Sequence, residues 1–393
     1  MLWADEKPMQ GGIMLLGFGA RNFFSFKEGI KVSLELGGGC PDNFSHGRAV
    51  ANILCVKGAN GSGKTNVLKI LSFLNHFCCN SFSSKPEDVI LVSSFFHNEE
   101  PIELFCEFVS GSAKYLYEVS LTARKVLQEK LFRKIERTTL VVERDDTGLT
   151  TCIKKYGDLK KIKIRKNASI ISIAHQYEIS SLEPIYGFFH SIVSNVSWAG
   201  RIDYSKEFKL ASQFYVEHPA IFKQAKEFIR KSDLGIKDVK IKSATDDEGK
   251  QFFYPIFRHG VKDVEHPWLP YHAQSLGTKT MYNTIYHYLL ALDAGGILVT
   301  DEFDIDFHPN LLPKFVGYFD DDVSNRKNAQ MIFSTHNNEI LNYMGKYRTM
   351  VVNKEDGESY GYRLDQIPGD IIRNDRPLVP LYISGRIGGV PRL

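Results

Sequence analysis

The sequence predicts an α/β fold with a largely parallel sheet, an antiparallel β lobe near the N-terminus and a mixed α/β insertion. Three observations predict it. A glycine-rich turn over residues 58–63 separates a continuous apolar run from a stretch of helical periodicity. Residues 105–121 and 126–142 alternate in the manner of antiparallel strands. From residue 276 onward the pattern runs helix, strand, helix, strand, and strands separated by helices pair in parallel.

The composition fits a folded chain. Of 393 residues, 43% are hydrophobic and 24% charged, which supplies a core and excludes a disordered polymer. The net charge of +3 is too small to attract nucleic acid by itself. No apolar stretch approaches the roughly 18–20 residues needed to span a bilayer. Asp5, Glu6 and Lys7 stand where a secretory leader would carry an apolar core, and none of the six cysteines forms a CxxC pair. The expectation is a cytoplasmic protein with free thiols and no membrane partner.

Taken in order, residues 14–36 read as two strands with a turn at 27–29. The run 50–56 reads as a strand covered on both faces. Val67, Ile70, Leu71, Leu74 and Phe77 recur at helical spacing over 66–77. Antiparallel strands follow, with turns near 110–113 and 124, and 182–228 reads as mostly helical. Strands are expected at 233–241 and 251–257 around a polar turn at 245–249. A helix at 278–293, a strand at 297–300, a helix at 311–318 and a strand at 331–335 complete the pattern. The expected division is 13–122 and 271–393 as two parts of one core, with 123–270 as the insertion.

Gly58-Ala59-Asn60-Gly61-Ser62-Gly63-Lys64-Thr65 fits the phosphate-binding pattern G-x-x-x-x-G-K-[ST], with a strand before it and a helix opening at Asn66. Such a loop turns backbone N–H groups inward at the positive end of a helix dipole. Lys64 is expected to reach the β- and γ-phosphates of ATP and Thr65 to coordinate Mg²⁺. The chain is therefore read as a P-loop NTPase.

The strand at 297–300 ends in Asp301-Glu302. A carboxylate at the carboxyl edge of a parallel sheet lies beside the phosphate loop, where Asp301 can hold Mg²⁺. Glu302 can then polarise the attacking water as a general base. Upstream, Ser275 and Gly277 open the helix 278–293, and a hydroxyl and free N–H groups at a helix start make a second anion site.

A Ser-x-Gly helix start, one helix and then an apolar strand ending Asp-Glu resembles the order of signature, helix and Walker B in ABC ATPases. The resemblance implies an ABC-ATPase head. It implies that Ser275 and Gly277 bind the γ-phosphate held by another subunit, that His336 contacts the γ-phosphate and helps place the water, and that Asp306 sits in the D-loop. One Walker A and one signature in a single chain then imply a homodimer or higher homo-oligomer enclosing nucleotide between two heads.

Beyond these motifs the chain resembles the stand-alone ATP-binding proteins related to OLD and SMC ATPases, including the AbiLii/RloA type of abortive-infection systems. Phe18-x-x-x-Asn22-Phe23-x-Ser25-Phe26 is similar to that family's opening, which places Asn22 near the nucleotide. Asp301-Glu302-Phe303-Asp304 followed by His308-Pro309 matches its Asp-Glu…Leu-His-Pro stretch, with Phe307 where Leu is usual. The segment 381–391 resembles its Tyr-Leu-x-Gly-Arg-x-Gly-x-x-Pro ending. Two departures stand out: no Q-loop glutamine can be placed, and there is no long heptad segment.

The resemblance implies an ATP-hydrolysing switch in an anti-phage system, controlling a separately encoded effector for which a nuclease is one family precedent. The alternative is an SMC/RecF-like DNA-binding ATPase of repair or recombination. Lys154, Lys155, Lys160, Lys161, Lys163, Arg165 and Lys166 bear on that choice. Alternation around Ile162 and Ile164 sets Lys161, Lys163 and Arg165 on one face of an expected strand, which fits phosphate backbones, an acidic partner or plain solvent.

Overall fold

The computed structural model describes residues 12–202, 207–233, 235–303, 311–369 and 371–390. Strands β1 (Ile13–Arg21) and β2 (Ile30–Ser33) form the first hairpin, and a short helix α1 (Asp42–Ser45) follows. Strand β3 (Ile53–Gly58), all six residues buried, runs into α2 (Lys64–Asn80). Strands β4 (Ile102–Ser110), β5 (Ala113–Leu121), β6 (Val126–Lys134), β7 (Thr138–Asp145) and β8 (Leu149–Cys152) make a meander. Together with β1 and β2 they form one antiparallel sheet, in the order β2-β1-β4-β5-β6-β7-β8.

Helices α3 (Ile170–Gln176) and α4 (Glu183–His190) precede the short strands β9 (Ile192–Ser194), β10 (Val196–Ser197) and β11 (Gly200–Arg201). Helices α5 (Phe208–Glu217) and α6 (Pro219–Ser232) lead to the three-stranded sheet of β12 (Ile236–Thr245), β13 (Gln251–His259) and β14 (Trp268–Pro270). The chain continues through α7 (Leu276–Ala294), β15 (Ile297–Thr300), α8 (Leu312–Asp320) and β16 (Gln330–Ser334). It closes with α9 (Ile340–Met344), the hairpin β17 (Thr349–Glu355) and β18 (Glu358–Arg363), and α10 (Leu378–Ile383).

The second large sheet has the order β18-β17-β3-β16-β15-β9 and is parallel except at its β18 edge. Its strands separate two cores by simple pleat alternation. Leu54, Val56, Ile297, Val299 and Ile332 face the core shared with α2 and the antiparallel sheet. Ile53, Cys55, Leu298, Met331 and Phe333 face the opposite core with α6, α7 and α8. Helix α2 is thus held between two sheets, and 11 of its 17 residues are buried. That burial, rather than propensity, fixes the helix bearing the phosphate loop.

The architecture matches the predicted α/β core with an antiparallel lobe. Three details differ. Strand β9 lies inside the stretch read as helical, because three residues are too few to carry a period. The expected boundary at 122/123 falls in the hairpin that joins β5 and β6 within one sheet. The basic segment is not a strand: Lys154–Lys161 is a 3₁₀ helix anchored by buried Tyr156 and Leu159. Arg165 donates to Phe82 O and Ser84 O, so it braces a loop instead of joining a charged face.

All six cysteines are free thiols, as expected. Among the described residues no helix is long and apolar enough to cross a membrane.

Candidate nucleotide site

The parallel register brings three strand ends to one edge. Ser334 pairs with Val56 across β16 and β3, and Thr300 pairs with Phe333 across β15 and β16. The residues that follow, Gly58, Asp301 and Thr335, therefore emerge together at the carboxyl edge, where α/β sheets place their ligands.

The loop from β3 to α2 is built as an anion cradle. Gly63 has φ +111°, and a Cβ there would lie 2.7 Å from Ser359 Oγ and 3.0 Å from Ser25 Oγ. Only glycine fits that turn. The first N–H groups of α2 lack partners within the helix. Ser62 is buried, and its Oγ has no hydrogen-bond partner among the described residues. An orphaned hydroxyl beside a helix N-terminus suits an oxyanion.

Lys64 donates to Gly58 O and Ala59 O, both at 3.0 Å, so its ammonium is folded over the loop. Burial lowers its pKa, opposed by the negative charges of Asp301 and Glu302. Asn66 is turned to bracing: its Nδ2 donates to Ser25 Oγ at 2.7 Å. Ser359 Oγ in turn donates to Ser62 O at 2.7 Å and lies in hydrogen-bond contact with Ser25 Oγ at 2.8 Å, locking β18 against the loop.

Thr65 Oγ1 donates to Asp301 Oδ2 at 2.7 Å, and Ser334 Oγ donates to Asp301 Oδ1. Glu302 N donates back to Ser334 Oγ at 2.8 Å, and Glu302 has φ +49°. A glutamate in the left-handed region is strained, and such strain collects at functional turns. Its carboxylate faces two cations or potential cations: Arg201 Nε lies 3.3 Å from Oε2 and His336 Nε2 3.9 Å from Oε1.

Three contributors were not legible in the sequence. Asn195, directly after β9, accepts from Asp301 N at 2.7 Å and donates to Asp301 O at 3.1 Å. Arg201 reaches Glu302 from the β10–β11 hairpin. Lys57, 1% exposed, donates to Thr335 O (3.0 Å), Asn337 O (3.2 Å) and Asn338 Oδ1 (3.0 Å), which holds the turn that carries His336. The first two depend on the missed strand β9. For Lys57 a hint existed, a lysine within a buried apolar run.

Other expected residues lie elsewhere. Asn22 is 1% exposed, and its amide is committed to the loop after residue 94: it donates to Asn98 Oδ1, Glu100 O and Pro101 O and accepts from Phe95 N. It braces that loop and has no amide valence left for a nucleotide. Ser275 caps α7, accepting from Thr278 N at 3.1 Å, while Leu276 is 57% exposed beside partly exposed Gly277. The side-chain hydrogen bonds of Ser275 run to Thr278 and not to the 58–65 loop. Asp306 lies outside the described residues.

The residues present fit a magnesium nucleotide. Among the described residues no three His, Cys, Asp or Glu side chains form a metal cage, and Mg²⁺ needs none. It is typically held by one or two carboxylates together with phosphate oxygens and water. Asp301 could supply the carboxylate, with the Thr65 hydroxyl oxygen beside it at 2.7 Å.

Residues 53–342 match the family described as "AAA domain, putative AbiEii toxin, Type IV TA system". The chain belongs to this family. A comparison with curated proteins returns no match. Among solved structures, the SMC head domain from Thermotoga maritima is 14% identical, covering 90% of this chain and 99% of that one at a TM-score of 0.44. An SmcHead bound to the C-winged helix domain of ScpA is 13% identical, covering 88% and 96% at 0.45. The Smc head domain with a coiled coil and joint from Pyrococcus yayanosii is 10% identical, covering 95% and 99% at 0.44.

Proposed function

We propose that the chain is a Mg²⁺-dependent ATPase whose turnover needs a second copy of itself, acting as a switch in a bacterial anti-phage system. The observation that carries the ATPase reading is the junction of Thr65 with Asp301 beneath a glycine loop holding an orphaned hydroxyl. The loop N–H groups and Lys64 bind the phosphates. Thr65 and Asp301 would hold Mg²⁺, which would supply positive charge against the phosphates. Glu302 takes the proton of the attacking water, and His336 helps fix that water.

The need for a partner is supported by the placement of Ser275 and Gly277. They sit at the exposed start of α7, and Ser275 is bonded only locally among the described residues, so a second copy is the natural source of a phosphate for them. The family description, with its AbiEii toxin and Type IV TA terms, supports the defence role. The narrower likeness to OLD and AbiLii/RloA proteins and the control of a separate effector rest on the resemblance of the sequence motifs.

The test is the oligomeric state of purified Glu302→Gln with saturating MgATP. Stable dimers are expected, and Lys64→Ala should abolish nucleotide binding. A Glu302→Gln protein that binds ATP yet stays monomeric would defeat the dimer reading. A wild-type protein that binds no nucleotide would defeat the ATPase reading.

A further inference from the structure

Resting on Glu302 as the water-activating base, we infer that Arg201 is its positioning residue, and that the β10–β11 hairpin exists to hold Arg201 there. Four observations converge on that assignment.

The first is the contact itself. Arg201 Nε lies 3.3 Å from Glu302 Oε2, while His336 lies on the Oε1 side at 3.9 Å. The two groups bracket the carboxylate. Because the Glu302 backbone is pinned at φ +49° by its bond to Ser334, the carboxylate direction is set by the side-chain torsions and by what these two neighbours permit.

The second is how the hairpin is tied down. Val196 O accepts from Ser72 Oγ on α2, and Ile202 N donates to Asn195 O at 2.6 Å. Asn195 is bonded in both directions to the Asp301 backbone. The base of the hairpin is therefore fixed to the phosphate-loop helix on one side and to the end of β15 on the other. Arg201 is placed by the same elements that place Thr65 and Asp301.

The third is local backbone chemistry. Gly200, immediately before Arg201, has φ +127°, and nothing lies within 4 Å of a Cβ built on it. The glycine serves backbone direction and not close packing, since space is open there while the conformation excludes other residues. That direction delivers Arg201 to Glu302.

The fourth is energetic. Arg201 and Glu302 are 28% and 40% exposed, and ion pairs of that kind contribute little to stability. The buried pairs Arg144–Glu129 and Arg348–Asp320, at 2%/2% and 3%/7%, do the structural bracing in this chain. A solvent-accessible pair on a strained glutamate is better explained by orientation than by folding.

Arg201 acts through Glu302, so the two substitutions must be non-additive. Single-turnover ATP hydrolysis by Arg201→Ala should slow about ten- to hundredfold, the scale on which misplaced groups lose rate. Nucleotide affinity and melting temperature should stay at wild-type values. Arg201→Lys should recover part of the rate, keeping the cation while losing the guanidinium geometry. Arg201→Ala/Glu302→Gln should be no slower than Glu302→Gln alone. A wild-type rate for Arg201→Ala would overturn the assignment, as would a double variant slowed by the full product of both single effects. If instead Glu302→Gln hydrolyses at the wild-type rate, the base reading falls and the positioning role falls with it.

Discussion

The Thr65 hydroxyl donates to the Asp301 carboxylate at 2.7 Å, joining the start of α2 to the end of β15 across 236 positions of sequence. A threonine one residue after the loop lysine and a carboxylate at a strand end meet only if β3, β16 and β15 are parallel and in register, as they are. Removing either partner should remove metal-dependent turnover. Asp301→Asn is expected to lower ATP hydrolysis at least a hundredfold, about 3 kcal/mol of barrier, and Thr65→Ala by a smaller factor. Steady-state phosphate release over a Mg²⁺ titration checks this. Turnover by Asp301→Asn at the wild-type rate would mean that Mg²⁺ is held elsewhere.

Gly63→Ala isolates the cradle. The new methyl would sit 2.7 Å from Ser359 Oγ at a φ of +111°, so the loop must shift or β18 must retreat. Backbone strain of this kind costs on the order of 1–3 kcal/mol. The expected outcome is a cooperative fold with a modestly lowered melting temperature and lost binding of a fluorescent ATP analogue. Unchanged nucleotide affinity would show that the 63–66 turn does not bind phosphate.

The parts legible from sequence were those with a long period or a fixed spacing. Helix α2 repeated its apolar face over three turns, and β15 with Asp301-Glu302 was bounded as read. Asn195 and Arg201 were hidden for a physical reason. Their elements are two or three residues long and owe their existence to pairing with β15 and packing on α2, so no local pattern announces them. Asn22 misled in the opposite way: the family resemblance of the motif around it placed it near the nucleotide. Its amide, however, is consumed by the 95–101 backbone. A basic run was misread as a strand because alternation at Ile162 and Ile164 reflects two side chains partly packed on the core of the antiparallel lobe.

Lys57 offers a test of the turn that presents His336. Its ammonium is buried and donates to two backbone carbonyls and to Asn338 Oδ1, and it lies 5.1 Å from the centre of the Tyr382 ring. Lys57→Met keeps the stem and deletes the charge, leaving buried acceptors unmade at about 1–3 kcal/mol. Urea denaturation should show a midpoint shift of that size with an unchanged slope. Hydrolysis should fall as well, because the 335–338 turn loses its anchor. Loss of stability with full turnover would uncouple Lys57 from the site.

His287 makes stability depend on pH. Burial pushes its pKa down to about 4 from 6.5, against a smaller opposing effect of a backbone hydrogen bond with Thr284. Above pH 6.5 the imidazole is neutral folded and unfolded, and it contributes nothing to the pH dependence. Between 6.5 and about 4 the unfolded chain binds a proton that the folded chain refuses, so stability drops as pH falls and then levels off below that range. The full loss is on the order of 3 kcal/mol. Unfolding free energy measured from pH 8 to pH 4 should show this decline, and His287→Phe should flatten it in that window. A variant with the same slope as the parent would place the acid sensitivity on other groups.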